Sequence, residues 1–401
     1  MISKMLSEIT SVITKGTTPT SVGCSFSKNG INYIKSESIT SSRTLDKSKY
    51  AFISEETHQK LKRSQIKEND ILFSMAGMFL GKTGIVQADD VPANTNQAVA
   101  IIRIVPEQAN YLYVYYYLNQ KNIVTWINSL SGQSAQPNIN LKQIGEIEIP
   151  LPDRIIQDTI VEMLSAIDSR IELNTAINEN LEKQAQALFK AWFVDFEPFG
   201  GAMPDDWTET TLGTIAAIST KSINPLKQPD LYLEHYSIPA YDEQHYPVFE
   251  YASEVKSNKY ILTNNSVMIS KLNPDTKRIW RPLCLSANPV CSTEFIVYEA
   301  VNPKYKDYIY SLIDSQAFSD YLCAHTTGST NSRQRATPKT TLDYTCIMPS
   351  DDIITRFCGI VTPMYDQIAS NIIESQRLAA LRDTLLPKLM NGEIDVSAVK
   401  I

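Results

Sequence analysis

The chain has 401 residues, 43% of them hydrophobic and 20% charged, with a net charge of −7. That length allows two or three domains, each with its own core, and the acidic balance excludes a protein that coats DNA by charge alone. No apolar run approaches the roughly 20 residues of a membrane helix and MISKMLSEIT lacks a signal-peptide core, so a cytoplasmic chain with no membrane partner is expected.

In chain order the sequence reads as a mixed region at 1–152, a helical segment at 153–200, a second mixed region at 201–350 and a second helical segment at 351–401. Three strings recur at offsets near 200. LSEITSVITK at 6–15 aligns with LGTIAAISTK at 212–221, ENDILFS at 68–74 with NNSVMIS at 264–270, and IEIPLPD at 147–153 with CIMPSDD at 346–352. The chain is therefore an imperfect tandem repeat.

Within the mixed regions, AVAIIRIV at 98–105 and EFIVYEAV at 294–301 predict buried strands from their length and β-branched content. Residues 111–130 and 305–323 predict helices. These regions are expected to be α/β globular domains. In the helical segments, apolar residues follow an unbroken alternation of fours and threes from Ile160 to Trp192. Ile167, Ile171, Asn174, Asn178, Leu181, Leu188 and Trp192 carry that seam, and at an offset of 197 Met364, Ile368, Asn371, Leu378 and Leu385 carry a second. The polar members coincide: Asn174 falls on Asn371, and Asn178 on Ser375. Buried polar seam residues fix register at a cost in stability, so two paired antiparallel helices are expected. Thirty-odd residues at about 1.5 Å each form a rod of roughly 50 Å, longer than a DNA turn of about 34–36 Å. The alternative is that each helix only covers its own domain.

The repeat and helices, with QALFKAWFVDFEPFGG at 186–201, LRDTLLPKLMNGEI at 381–394, IPLP at 149–152 and the loop SGQSAQPNIN at 131–140, resemble the type I restriction-modification specificity subunits. CIMPSDD departs from the IPLP exit of the first half. The resemblance implies two target-recognition domains, at 1–152 and 201–350, separated by conserved spacer helices at 153–200 and 351–401. It implies double-stranded DNA as ligand, an asymmetric bipartite site with one half read by each domain, two methyltransferase subunits docked on the helices, and two restriction subunits in the full complex. It implies no cofactor in this chain, with S-adenosylmethionine, ATP and Mg left to the partner subunits.

Base reading needs paired donors and acceptors, and phosphate contact needs cations and hydroxyls. The loop at 325–339 offers Thr327, Ser329, Asn331, Arg333, Gln334, Arg335 and Lys339, and its counterpart offers Gln133, Ser134, Gln136 and Asn138. Loops after the strands DILFS and SVMIS add Lys82 and Thr83 in the first half, and Lys271, Asn273, Lys277, Arg278 and Arg281 in the second. A plain solvated loop is the competing reading for each group.

No catalytic constellation is expected. AGMFLGKT at 76–83 lacks only the first glycine of a P-loop, but the following Gly-Ile-Val reads as a strand where a helix should open. Asn288-Pro289-Val290-Cys291 is an incomplete amino-methyltransferase motif. Six cysteines without a CxxC pair, and four histidines, make neither a zinc site nor a disulfide framework. Trp192 and Phe193 are expected to pack helices or dock subunits. A coiled-coil scaffold with two protein-binding domains, and a P-loop nucleotide-binding enzyme, are the alternative functions.

Overall fold

The structure, a computed structural model, describes residues 2–40, 42–130, 138–327, 334–397 and 399. The chain divides into two compact units, Met1–Glu172 with Gln376–Ile401, and Leu173–Ser375. The division falls inside both long helices rather than at 152, 200 and 350. Each globular region keeps the half of each helix that packs on it.

In the first unit, Ile2–Met5 pairs antiparallel with Glu148–Leu151, so the entering strand closes on the leaving one. A four-stranded antiparallel sheet runs Thr10–Lys15, Val99–Ile104, Ile71–Ser74, Thr83–Ile85 in space. Val99–Ile104 is apolar on both faces because both are covered. Ala100 and Ile102 join the core shared with the long helices, and Val99 and Ile101 face a second core. That second core lies toward a five-stranded sheet in the order Phe26–Ser27, Ala51–Ile53, Ile31–Ile34, Ala93–Thr95, Gln65–Ile66, whose third and fourth strands are parallel.

The second unit repeats this plan. Thr208–Thr211 closes on Thr345–Met348. The four-stranded sheet runs Ala216–Ile218, Phe295–Ala300, Ser266–Ser270, Ile279–Trp280. The five-stranded sheet runs Val248–Tyr251, Tyr232–Tyr236, Pro289–Ser292, Lys259–Ile261, Ser222–Ile223, again with one parallel pair. Its first four strands match the last four of the first unit's sheet. The fifth is added at the opposite edge, which is where the two repeats diverge in topology.

Both expected helices in the mixed regions are broken in two. Residues 111–130 form Tyr111–Leu118 and Lys121–Leu130, because the Asn119 amide turns back to donate to the Tyr115 carbonyl at 2.8 Å. Residues 305–323 form Lys306–Asp314 and Gln316–Ala324. Ser315 between them is extended, and its hydroxyl accepts from Phe318 N–H as an N-cap.

The long helices, Arg154–Phe193 and Asp351–Met390, each have 40 residues. The second passes through Pro363, whose missing N–H leaves the carbonyl of Gly359 without its helical donor; Gly359 is exposed, so water can replace it. In the first unit Ile160 and Leu164 share a core with Leu386, Leu389 and Met390, and Leu385 packs against it; Ile167, Ile171 and Leu378 are half-buried. In the second unit Leu181, Ala185, Leu188, Phe189 and Trp192 pack with Phe357, Val361, Met364 and Ile368. Trp192 and Phe193 belong to a ring cluster with Phe189, Phe199 and Phe357. The polar seam residues are buried, Asn174 at 0% exposure and Asn371 at 3%.

All six cysteines are unpaired. Burial pushes the Cys346 and Cys358 thiols up to about 11, away from thiolate chemistry. No described helix is long and apolar enough to cross a membrane.

Candidate nucleic-acid interface

The antiparallel order of each four-stranded sheet gathers distant loops at one end. In the first unit, Thr10–Lys15 and Ile71–Ser74 finish where Val99–Ile104 and Thr83–Ile85 begin. Lys15, Met75–Ala76, Lys82 and Gln97–Ala98 therefore share that end. Met75 N–H donates to the Ala98 carbonyl at 2.8 Å, Ile139 N–H donates to the Met75 carbonyl at 3.0 Å, and Ala76 bridges Asn138. The loop at 131–140 is thus pinned at its return to the strand-following loop.

The second unit builds the same junction. Lys271 N–H donates to the Glu294 carbonyl, Ala336 N–H to the Lys271 carbonyl and Asn273 N–H to the Gln334 carbonyl, each at 2.9 Å. Leu272 bridges Arg335. The pairs Ala76–Asn138 and Leu272–Arg335 are equivalent under the sequence repeat, so Asn138 and Arg335 hold counterpart positions in the two units.

The expected contact residues divide by what holds them. Asn138, Thr327, Arg335 and Lys339 are exposed; Lys82, Lys271, Asn273 and Gln334 are half-buried at or beside the sheet end. Lys82 carries its ammonium 5.3 Å from the Phe79 ring centroid. Thr327 donates to the Arg335 carbonyl across a short hairpin. Arg335 forms a two-pronged pair with Glu294 at 3.0 and 3.4 Å. Asn273 adopts left-handed backbone, φ 48°, and its side-chain oxygen is buried without a partner among the described residues.

Four others are engaged within the unit. Thr83 is 1% exposed and its hydroxyl accepts from Asn119. Lys277 pairs with Asp314, and Arg278 forms a two-pronged pair with Asp242 at 2.6 and 2.9 Å. Arg281 lies between Asp307 at 2.7 Å and Asp366 at 2.9 Å, tied to the domain helix and the long helix rather than to the sheet end. Gln133, Ser134, Gln136, Ser329, Asn331 and Arg333 lie outside the described residues.

The P-loop-like string forms no phosphate cradle. A short turn at Gly77–Phe79 leads to the strand Thr83–Ile85, and no helix opens at Lys82. Among the described residues no group of histidine, cysteine and carboxylate side chains is arranged to hold a metal. Glu294 was not legible as a site residue; its signal was the Lys271–Glu294 junction, which only the sheet order reveals.

Each of the two repeated α/β regions gathers amides, hydroxyls and cations at one sheet end. Residues 3–183 match the family described as Type I restriction modification DNA specificity domain. The chain is 28% identical over 343 residues to the type I restriction enzyme MjaIX specificity subunit of Methanocaldococcus jannaschii, covering 78% of this chain and 76% of that one. It is 25% identical over 338 residues to the HindI specificity subunit of Haemophilus influenzae, covering 66% of this chain and 72% of that one. The fold resembles a crystal structure of a type I restriction-modification S subunit from M. genitalium, with a TM-score of 0.56, 16% identity, and 97% and 95% of the two chains covered. The chain is thus similar to type I restriction-modification specificity subunits, and its first half matches their DNA specificity domain.

Proposed function

We propose that this chain reads an asymmetric, two-part sequence in double-stranded DNA, one part at each sheet end, and carries no catalysis of its own. The observation that supports this most is the equivalence of the Ala76–Asn138 and Leu272–Arg335 junctions. Each sets a polar loop beside cations at the same end of the same sheet. Asn138, Asn273, Gln334 and Arg335 present the amide and guanidinium chemistry that distinguishes adenine and guanine edges. Lys82, Lys271, Thr327 and Lys339 suit phosphates.

The tandem repeat offers two similar helical surfaces, which suits two identical methyltransferase subunits, with two restriction subunits joining that assembly. S-adenosylmethionine, ATP and Mg would then be bound by those partners. A cytoplasmic location follows from that company. The length of the paired helices would set the unread gap between the two half-sites.

Selection from a pool of randomised duplexes by the co-purified complex of this chain with its methyltransferase tests the reading. Enrichment of two short blocks separated by a fixed, unread gap is expected. A pool that stays uniform would leave the scaffold reading, in which both units bind protein.

A further inference from the structure

The first unit contains a polar cleft where Lys15 and Gln97 of the sheet end meet Arg63. It measures about 510 Å³ and is lined by Lys15, Thr17, Thr18, Ser21, Arg63 and Gln97 among others, with no carboxylate. Lys15, Arg63 and Gln97 are all exposed. Lys15 and Arg63 have no ion-pair partner among the described residues, in a chain whose net charge is −7. Among the described residues the hydrogen bond from Arg63 is a long one to the Thr17 hydroxyl, 3.5 Å. The Thr18 hydroxyl donates to the side-chain oxygen of Gln97, which orients that amide and leaves its N–H groups without a described acceptor.

The backbone that carries these groups is fixed. Thr17 N–H donates to the Thr95 carbonyl at 3.0 Å, and the Tyr33 hydroxyl donates to the Thr17 carbonyl at 3.0 Å. Gly16 lies so close to Thr95 that a Cβ would fall 2.0 Å from its carbonyl oxygen. Only glycine lets the strand end press this closely against the neighbouring sheet.

Two unpaired cations, several hydroxyls and a free amide around an open concavity match a phosphodiester. We infer that this cleft clamps a backbone phosphate of the DNA held by the first unit. The inference rests on the DNA-reading function proposed above. In the second repeat Lys15 falls on Lys221, but the position of Arg63 is built differently. By the repeat, the counterpart of Arg63 is Lys259, which is 5% exposed and turned inward, its ammonium bonded to the Ser257 hydroxyl at 2.7 Å and carbonyl at 3.1 Å. The clamp is therefore a property of one half of the bipartite grip.

The test is the salt dependence of duplex binding by the full chain in its methyltransferase complex, measured by anisotropy. Arg63→Ala and Lys15→Ala should each lower the slope of log affinity against log salt by about one. The loss should be equal on target and scrambled duplexes. Lys142→Ala, which removes an exposed cation of the same unit that pairs with Glu146 away from the cleft, should leave the slope in place. Unchanged melting temperatures check that each variant is folded. Slopes for Arg63→Ala and Lys15→Ala that match Lys142→Ala would overturn the clamp while leaving DNA reading intact. A wild-type complex with no duplex affinity would overturn both.

Discussion

Asn371 donates its side-chain amide to the Asn178 oxygen at 2.8 Å, and Asn174 donates to the Ser375 hydroxyl at 3.2 Å. The two bonds interchange under the 197-residue repeat, so the seam carries a local two-fold relation built from one chain. Gln367 adds a bond to the Asn371 oxygen at 2.7 Å, and Glu374 accepts from Asn174 at 2.8 Å. A slip of one helix would take the buried Asn174 and Asn371 away from these partners, which is how a polar layer specifies register.

Asn371→Ala strips Asn178 and Gln367 of a partner at a buried position. It should destabilise the chain by about 1–3 kcal/mol, the cost of unsatisfied buried polar groups. A double-mutant cycle with Asn178→Ala should return a coupling of about 0.5 kcal/mol or more. Additive losses in denaturant titrations would show that the bond contributes nothing specific.

In the first unit, Asp168 has a side chain 5% exposed and accepts from Arg382 at 2.8 Å and from the Tyr116 hydroxyl at 2.7 Å. Asp168→Ala leaves the buried Tyr116 phenol unpaired and the Arg382 guanidinium with Asp383 as its remaining carboxylate, at a cost of about 1–3 kcal/mol. Asp168→Leu combined with Arg382→Met removes both charges and should recover most of that loss. Equal stability of the single and double variants would contradict the pairing.

Arg335→Ala should change the bases tolerated in one half-site and leave the other half as it is, with a loss of about tenfold or more on the intact target. Glu294→Gln releases the guanidinium from its pair and should shift the same half-site only. Methylation-motif sequencing of the variants checks this. A uniform fall across all sequences would make Arg335 a phosphate contact.

The second unit should lose stability in mild acid. Burial lowers the His235 imidazole, against the opposing bond to Glu250. Above about 6.5, the ordinary imidazole value, it is neutral folded and unfolded. As pH falls through that value the unfolded chain takes up protons that the folded unit resists. Stability is therefore present above about 6.5 and declines below it, until the folded group titrates in turn. Hydrogen exchange across 232–251 should accelerate from pH 7 toward pH 5. His235→Gln removes the imidazole that resists protonation and should flatten that dependence.

The helices and the repeat were legible because their signals are local or strictly periodic. The seam spacing from Ile160 to Trp192 needs no tertiary knowledge, and the coincidence of Asn174 with Asn371 marked the polar layer. The helix breaks at Asn119 and Ser315 were missed, since each depends on one polar side chain capping its own backbone amid apolar neighbours. Loop composition pointed to the sheet end but could not sort its cations. Arg281 and Arg335 look alike in sequence. What separates them is Asp307 and Asp366, which fix the first on the helical side, and the Leu272 bridge, which holds the second at the sheet end. The Thr83 side chain was drawn inward by Asn119, a partner from a different element. The Arg63 cleft was invisible because Lys15, Arg63 and Gln97 come from three separate places in the chain, a strand end, a helical turn and a loop.

Adding one turn, about four residues, to each long helix near Asn180 and its counterpart should lengthen the unread gap without altering either half-site. A gap that stays the same would separate helix length from spacing.

The most direct measurement is methylation mapping of host DNA with the methyltransferase expressed with and without this chain. The account predicts one bipartite, asymmetric motif that disappears when the chain is omitted. The same methylation with and without it, or an active assembled methyltransferase that marks no sequence in particular, would contradict it.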